Sequence, residues 1–187
     1  ARLVFLARNF PRPGSQEWQT AIFTADWNGG NIHCLQDYGY ASHYHWRDPR
    51  HLLCHCMPDT PRPGLYLLED QGEDVQAIDP EFFTADGHCS YSPDLRWLLY
   101  DSYPISGYRN LYLYSLEYQH GRRLGGFYSD PRSDGDIRCD LHPRWSRSGQ
   151  TITFDSTHEG YRGIYRSVQP AAGWNALGFD RHLDLNF

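Results

Sequence analysis

The 187-residue chain has no lysine; all 17 of its basic residues are arginine. A lysine base, a Schiff-base lysine and the lysine of a phosphate-binding loop are therefore excluded. The formal charge is -6 and no basic stripe runs along the sequence, which argues against a nucleic-acid partner. No apolar run approaches the roughly 18 residues of a membrane span. No stretch repeats its apolar residues at helical spacing. Methionine occurs once, at Met57, and the chain opens on Ala1 straight into an apolar run, so it reads as a segment of a longer chain. The absence of a leader is then uninformative. The five cysteines (Cys34, Cys54, Cys56, Cys89 and Cys139) are odd in number and form no Cys-x-x-Cys pair, a poor disulfide framework. They read as free thiols, which suit a reducing compartment slightly better than an oxidising one.

Aromatics, by contrast, are plentiful. They make up 16% of the residues, beside 17 glycines and 12 prolines. Aromatic and β-branched residues favour strands, and Gly and Pro favour turns. One unit recurs. It is an aromatic-Ser/Arg-Pro/Asp turn, an apolar strand, a loop, and a second strand of the form Leu/Ile-Tyr. The clearest copy runs from Tyr91-Ser92-Pro93-Asp94 through Trp97-Leu98-Leu99-Tyr100 to Leu111-Tyr112. Others start at Trp145-Ser146 and at Trp46-Arg47-Asp48-Pro49. Leu3-Val4-Phe5-Leu6 and Ala21-Ile22-Phe23-Thr24 supply the later half of a fourth. A period of about 40–50 residues with short strands is the pattern of propeller blades. The expected fold is therefore all-β. It is a single partial β-propeller of about four blades of four-stranded antiparallel sheet, bounded near residues 1–36, 37–80, 81–129 and 130–187. Each blade runs a to d, with the edge strand d at 74–78 and 122–127 in the middle two.

Alternating strand direction puts the d-to-a and b-to-c connections on one face. His43 and His45, His88, and Arg138, Cys139 and His142 stand at or before strand a. His55 and Cys56, Asp101 and Tyr103, and Asp155 and His158 follow strand b. Several neutral imidazoles favour a divalent metal such as Mn²⁺ or Zn²⁺. His43, His88 and His142 recur one per blade and are the expected ligands, with Cys139 as a fourth. Arg138 suits a bidentate grip on a substrate carboxylate, and a nearby Tyr or His suits proton transfer. The plainer alternatives are that Tyr103 is a packed loop aromatic and that Arg138 pairs with Asp136 or Asp140. Asp101 and Asp155, at equal positions and each followed by Ser, read as structural turn hydrogen bonds.

Residues 86–94 (Asp-Gly-His-Cys-Ser-Tyr-Ser-Pro-Asp), 138–146 (Arg-Cys-Asp-Leu-His-Pro-Arg-Trp-Ser), 154–160 (Phe-Asp-Ser-Thr-His-Glu-Gly) and Ser42-His43-Tyr44-His45-Trp46 resemble the seven-bladed propellers of the oligogalacturonate lyase type. The repeats also resemble the general TolB-like propeller unit. The first resemblance implies β-elimination on uronate-containing, acidic oligosaccharides, with a Mn²⁺-like ion held by histidines and a Gln. Related ulvan lyases use His, Tyr and Arg for the chemistry. It implies His43, His88 and His142 as metal ligands or proton-transfer residues, and Arg138 at the carboxylate. Tyr103 and His158 would then be catalytic, and His45 would join Arg138 in binding substrate. The family's His-x-His reads His142-Pro143-Arg144 here, and Cys139 stands where its Gln would be. The second resemblance implies a binding propeller that recognises a protein or peptide. A peptidase-type propeller would need a separate hydrolase domain, and no Gly-x-Ser-x-Gly elbow is present.

Overall fold

The structure, a computed structural model, describes residues 1–9, 19–132 and 135–177. The chain forms two compact units, Ala1–Asp86 and Gly87–Phe187. In the N-terminal unit, β1 (Arg2–Asn9), β2 (Gln19–Asp26) and β3 (His33–Gly39) form one antiparallel sheet in that order. The second sheet runs β4 (Ala41–Trp46), β5 (His51–Cys56), β6 (Gly64–Glu69) and β7 (Val75–Ala77). The C-terminal unit repeats the scheme. Its four-stranded sheet is β8 (Cys89–Tyr91), β9 (Trp97–Asp101), β10 (Tyr108–Ser115) and β11 (His120–Tyr128). Its other sheet has three strands among the described residues: β12 (Arg144–Trp145), β13 (Thr151–Ser156) and β14 (Gly163–Val168). Among the described residues, the only helical segments are 3-10 turns at Gly135–Ile137 and Trp174–Leu177. No helix is long and apolar enough to cross a membrane.

The second strand of each blade is deeply buried, and in the second sheet β6 matches it. All of Trp97–Asp101 and all but the first residue of His51–Cys56 are buried. A strand covered on both faces reads as a short continuous apolar run rather than an alternation. In the N-terminal unit Ile22, Leu52, Cys54 and Leu68 form a core, with Val4, Leu6 and Trp46 packed on it. In the C-terminal unit Leu99, Leu111, Leu113, Leu141, Ile152 and Phe154 do the same. Trp174 closes that core and donates from its indole to the Gly149 carbonyl at 2.9 Å. All five cysteines are free, four of them buried.

The turn between the first two strands explains the recurring serine. Ser92 Oγ accepts from Trp97 N at 3.0 Å and donates to Asp94 at 2.6 Å. Ser146 Oγ accepts from Thr151 N at 3.1 Å in the corresponding turn. The fourth turn residue has positive φ in both: Leu95 at 58° and Gly149 at 71°. These side-chain hydrogen bonds hold the hairpins that join the first two strands of a blade.

Candidate functional site

In the C-terminal unit the chain before β12 alternates. Cys139, Leu141 and Pro143 are buried, while Arg138 and His142 are exposed. Asp140 shares the register of Arg138 and His142 and is itself buried. Neighbouring side chains of an extended segment point to opposite sides. Cys139 therefore turns inward, where burial pushes its thiol pKa up, and Asp140 turns toward the histidines. His88, Asp140 and His142 each offer a donor atom within 4.8 Å of the others, the one such group among the described residues. The His88 and His142 rings lie 3.8 Å apart, centroid to centroid. Cys139, expected as a ligand, is not in the group.

His88 and His142 are at equal register. β8 pairs with β9 so that His88 O accepts from Asp101 N at 3.1 Å. Extending the β12–β13 pairing, Arg144 opposite Thr153, brings His142 opposite Asp155. The backbone slips there: Asp155 N donates to Leu141 O at 2.8 Å, and His142 takes φ 40°. A left-handed conformation costs a residue with a Cβ about 1–2 kcal/mol. Pro143 further restricts His142, because a residue before proline is pushed toward extended conformations. Asp101 Oδ2 accepts from His142 N at 3.0 Å. Asp101 also accepts from His88 N at 2.7 Å and faces His88 Nδ1 at 3.0 Å. Asp155 pairs instead with Arg144 at 2.8 Å. Burial, and then the nearby His88, push the His142 pKa down, so its imidazole is held neutral, the ligand form.

Two arginines meet Asp140. Arg138 Nε donates to Oδ2 at 2.9 Å, and the buried Arg109 forms an ion pair with Oδ1. The Arg138 guanidinium lies 5.3 Å from the centroid of the Tyr103 ring, a cation–π distance. His88, Asp101, Ser102, Tyr103, Arg109 and Asp140 line one tight crevice. His158 sits differently: its Nδ1 meets Ser156 Oγ at 2.9 Å and its ring packs on Phe127 and Tyr165.

His43 and His45 belong to the N-terminal unit. There Asp86 Oδ1 faces His43 Nδ1 at 3.2 Å and the buried His55 Nδ1 at 3.4 Å. Burial opposes ionisation of Asp86, but hydrogen bonds from His43 and Ser42 outweigh it and hold its carboxyl below the usual range. Burial pushes His45 and His55 down.

The sequence offers Asp136 or Asp140 as the partner of Arg138, and neither the place of Asp140 among the donors nor the part of Arg109 is expected from it. Asp-x-His occurs three times, and two copies, Asp86-Gly87-His88 and Asp140-Leu141-His142, place their His three residues before the recurring aromatic of the blade turn, which is the available signal. Arg109 carried no signal, because an arginine in a strand is ordinary until its partner is known.

No protein-family model matches the sequence, and no curated protein does. Solved structures match well. TolB from Acinetobacter baumannii superposes with a TM-score of 0.68 at 21% identity, over 89% of this chain and 39% of its own. An oligogalacturonate lyase in complex with manganese gives 0.52 at 16% identity, over 92% of this chain and 63% of its own. The chain has a β-propeller fold. An oligogalacturonate lyase from Vibrio parahaemolyticus, at 0.60 and 13% identity, covers 83% of this propeller chain and 47% of its own. The propeller chain thus spans less than two thirds of each of these proteins. At these identities the likeness is one of fold.

Proposed function

We propose that the chain carries part of a carbohydrate-active propeller lyase, which acts by β-elimination on uronate-containing oligosaccharides. The observation that carries this reading is the joining of His88, His142 and Asp140 to Arg138 and Tyr103. Two imidazoles and a carboxylate suit Mn²⁺ or Zn²⁺. Asp140 has about four lone-pair sites, so its two arginines leave room for a metal as well. When bound, the metal supplies Lewis-acid charge at the substrate carboxylate. Arg138, exposed and oriented by Asp140, binds that carboxylate and stabilises the charge that builds on it. Removal of the proton at the carbon beside the carboxylate leaves an electron pair. That pair forms the new carbon–carbon double bond as the bond to the leaving oxygen breaks. The Nε2 of His158, whose Nδ1 is engaged by Ser156, takes the proton, and the Tyr103 hydroxyl gives one to the leaving oxygen. Within the N-terminal unit, His43, beside Asp86, and His45 are candidates for metal and substrate contacts of that unit.

Incubation with uronate oligosaccharides, followed by ultraviolet absorbance of the unsaturated product, tests the reading. Product from the parent and its loss in Arg138→Ala support it; no product from any uronate oligomer overturns it. A second reading is a TolB-like binding propeller that recognises a protein or peptide. The TM-score of 0.68 to TolB and the two arginines on Asp140 favour it. Metal analysis separates the two. Stoichiometric metal that is lost in both His88→Ala and His142→Ala supports the lyase reading; a metal-free parent supports the binding one.

A further inference from the structure

The roles of His88 and His142 as ligands rest on the reading above, but one feature of their arrangement does not. Asp101, only 2% exposed, ends β9 and faces both residues. It accepts from His88 N at 2.7 Å, from His142 N at 3.0 Å, and both of its oxygens lie 3.0 Å from His88 Nδ1. Among the described residues no arginine pairs with it, although Arg109 and Arg138 stand on nearby Asp140. Its charge is therefore balanced by N–H donors alone. The chain approaches so closely here that a Cβ on Gly87 would run into the Asp101 carbonyl oxygen.

We propose that Asp101 is the positioning residue of the site. Its carboxylate fixes His88 with the proton on Nδ1 and Nε2 left bare, and its hold on His142 N supports the left-handed turn that presents the second imidazole. The reason is acceptor-only chemistry. An ionised carboxylate offers no hydrogen, so whatever faces it must donate. His88 N and His142 N can only donate, and His88 Nδ1 must then donate as well. A carboxylate behind an imidazole also raises the basicity of the opposite nitrogen. Asp101 thus makes Nε2 of His88 the stronger ligand or base, whichever the site uses.

The test reads the tautomer directly, on chelator-treated full chain with ¹⁵N-labelled histidine, using two-bond ¹H–¹⁵N correlation spectra. His88 is assigned by the signal lost in His88→Gln. The parent is expected to show His88 protonated on Nδ1. In Asp101→Asn the amide turns an N–H₂ toward the cluster. Asp101 holds the two backbone donors on separate oxygens, so the single amide oxygen serves only one of them; His88 Nδ1 also loses its anionic acceptor, and the proton shifts toward Nε2. Zn²⁺ affinity by calorimetry is expected to fall by about 10–100-fold in the same variant. An Nε2–H parent overturns the proposal, as does an unchanged Nδ1–H signal in Asp101→Asn. If that variant does not fold, the parent spectrum still decides. A parent with Nδ1–H that binds no metal keeps the positioning role and removes the metal reading, so the two fail separately.

Discussion

In the N-terminal unit one carboxylate, Asp86, faces two imidazoles, and the inner one, His55, is buried at 2% exposure with no hydrogen bond to Nε2 among the described residues. In the C-terminal unit two carboxylates face two imidazoles, and two arginines are drawn in behind Asp140. The difference starts at one position. At the corresponding place in the second strand stands His55 in β5, one residue before its end, and Asp101 in β9, its last residue. Where that residue is an imidazole, the carboxylate must come from the next chain segment and serve both rings. Where it is a carboxylate, the next segment's Asp140 is released to gather cations. The same scaffold position thus separates a blade end in which one carboxylate serves two histidines from one in which a second carboxylate also gathers arginines.

The largest expected effect separates the networks by stability. Asp140→Ala leaves Arg109 buried without its carboxylate and should cost about 3–5 kcal/mol in chemical denaturation. Asp86→Ala leaves no buried guanidinium without its partner and should cost clearly less. An equal or larger loss in Asp86→Ala would break the comparison. Next comes activity. Arg138→Ala should lower turnover of a uronate oligosaccharide on the order of 10²-fold. Its half-exposed ion pair should change stability by less than about 1 kcal/mol. A loss of stability that matches the loss of turnover would assign Arg138 a structural role only. The smallest effect is on pH dependence. Burial depresses the His55 pKa below its usual 6.5, so the unfolded chain binds the proton more tightly. Stability from this group is full above about pH 6.5 and is lost as the pH falls below it. His45 and His142 shift in the same sense. His55→Leu should therefore flatten part of the fall in unfolding free energy on acidification, measured by denaturation across a pH series. An unchanged slope would show that His55 is not desolvated as described.

The strands were legible because their signals are local. Trp97-Leu98-Leu99-Tyr100 is apolar throughout because both faces are covered, and Ser92 and Ser146 announce the turns by their own hydrogen bonds. The site was half legible. His88 and His142 stood out by their matching distances from Tyr91 and Trp145, and the structure brings their rings together. Cys139, three residues before His142, reads as a fourth ligand, but alternation along the segment turns it inward and leaves Asp140 beside the histidines. Asp101 reads in the sequence as a turn residue, whereas its bonds go to His88 N and His142 N, 13 and 41 residues away, and its place behind His88 Nδ1 is visible only in the structure.

By itself, then, the amino-acid order determined the four-fold recurrence, the burial of the second strands and the presence of histidine before the first ones. These depend on residues a few positions apart, where period and turn chemistry act directly. Tertiary structure alone decided which side chains share a charge. Arg109 meets Asp140, and Asp101 meets His142, only because separate strands and the one-residue slip at His142 carry them within hydrogen-bond reach. Coulomb and hydrogen-bond energies depend on distances of a few ångströms, and no local pattern in the sequence encodes those distances.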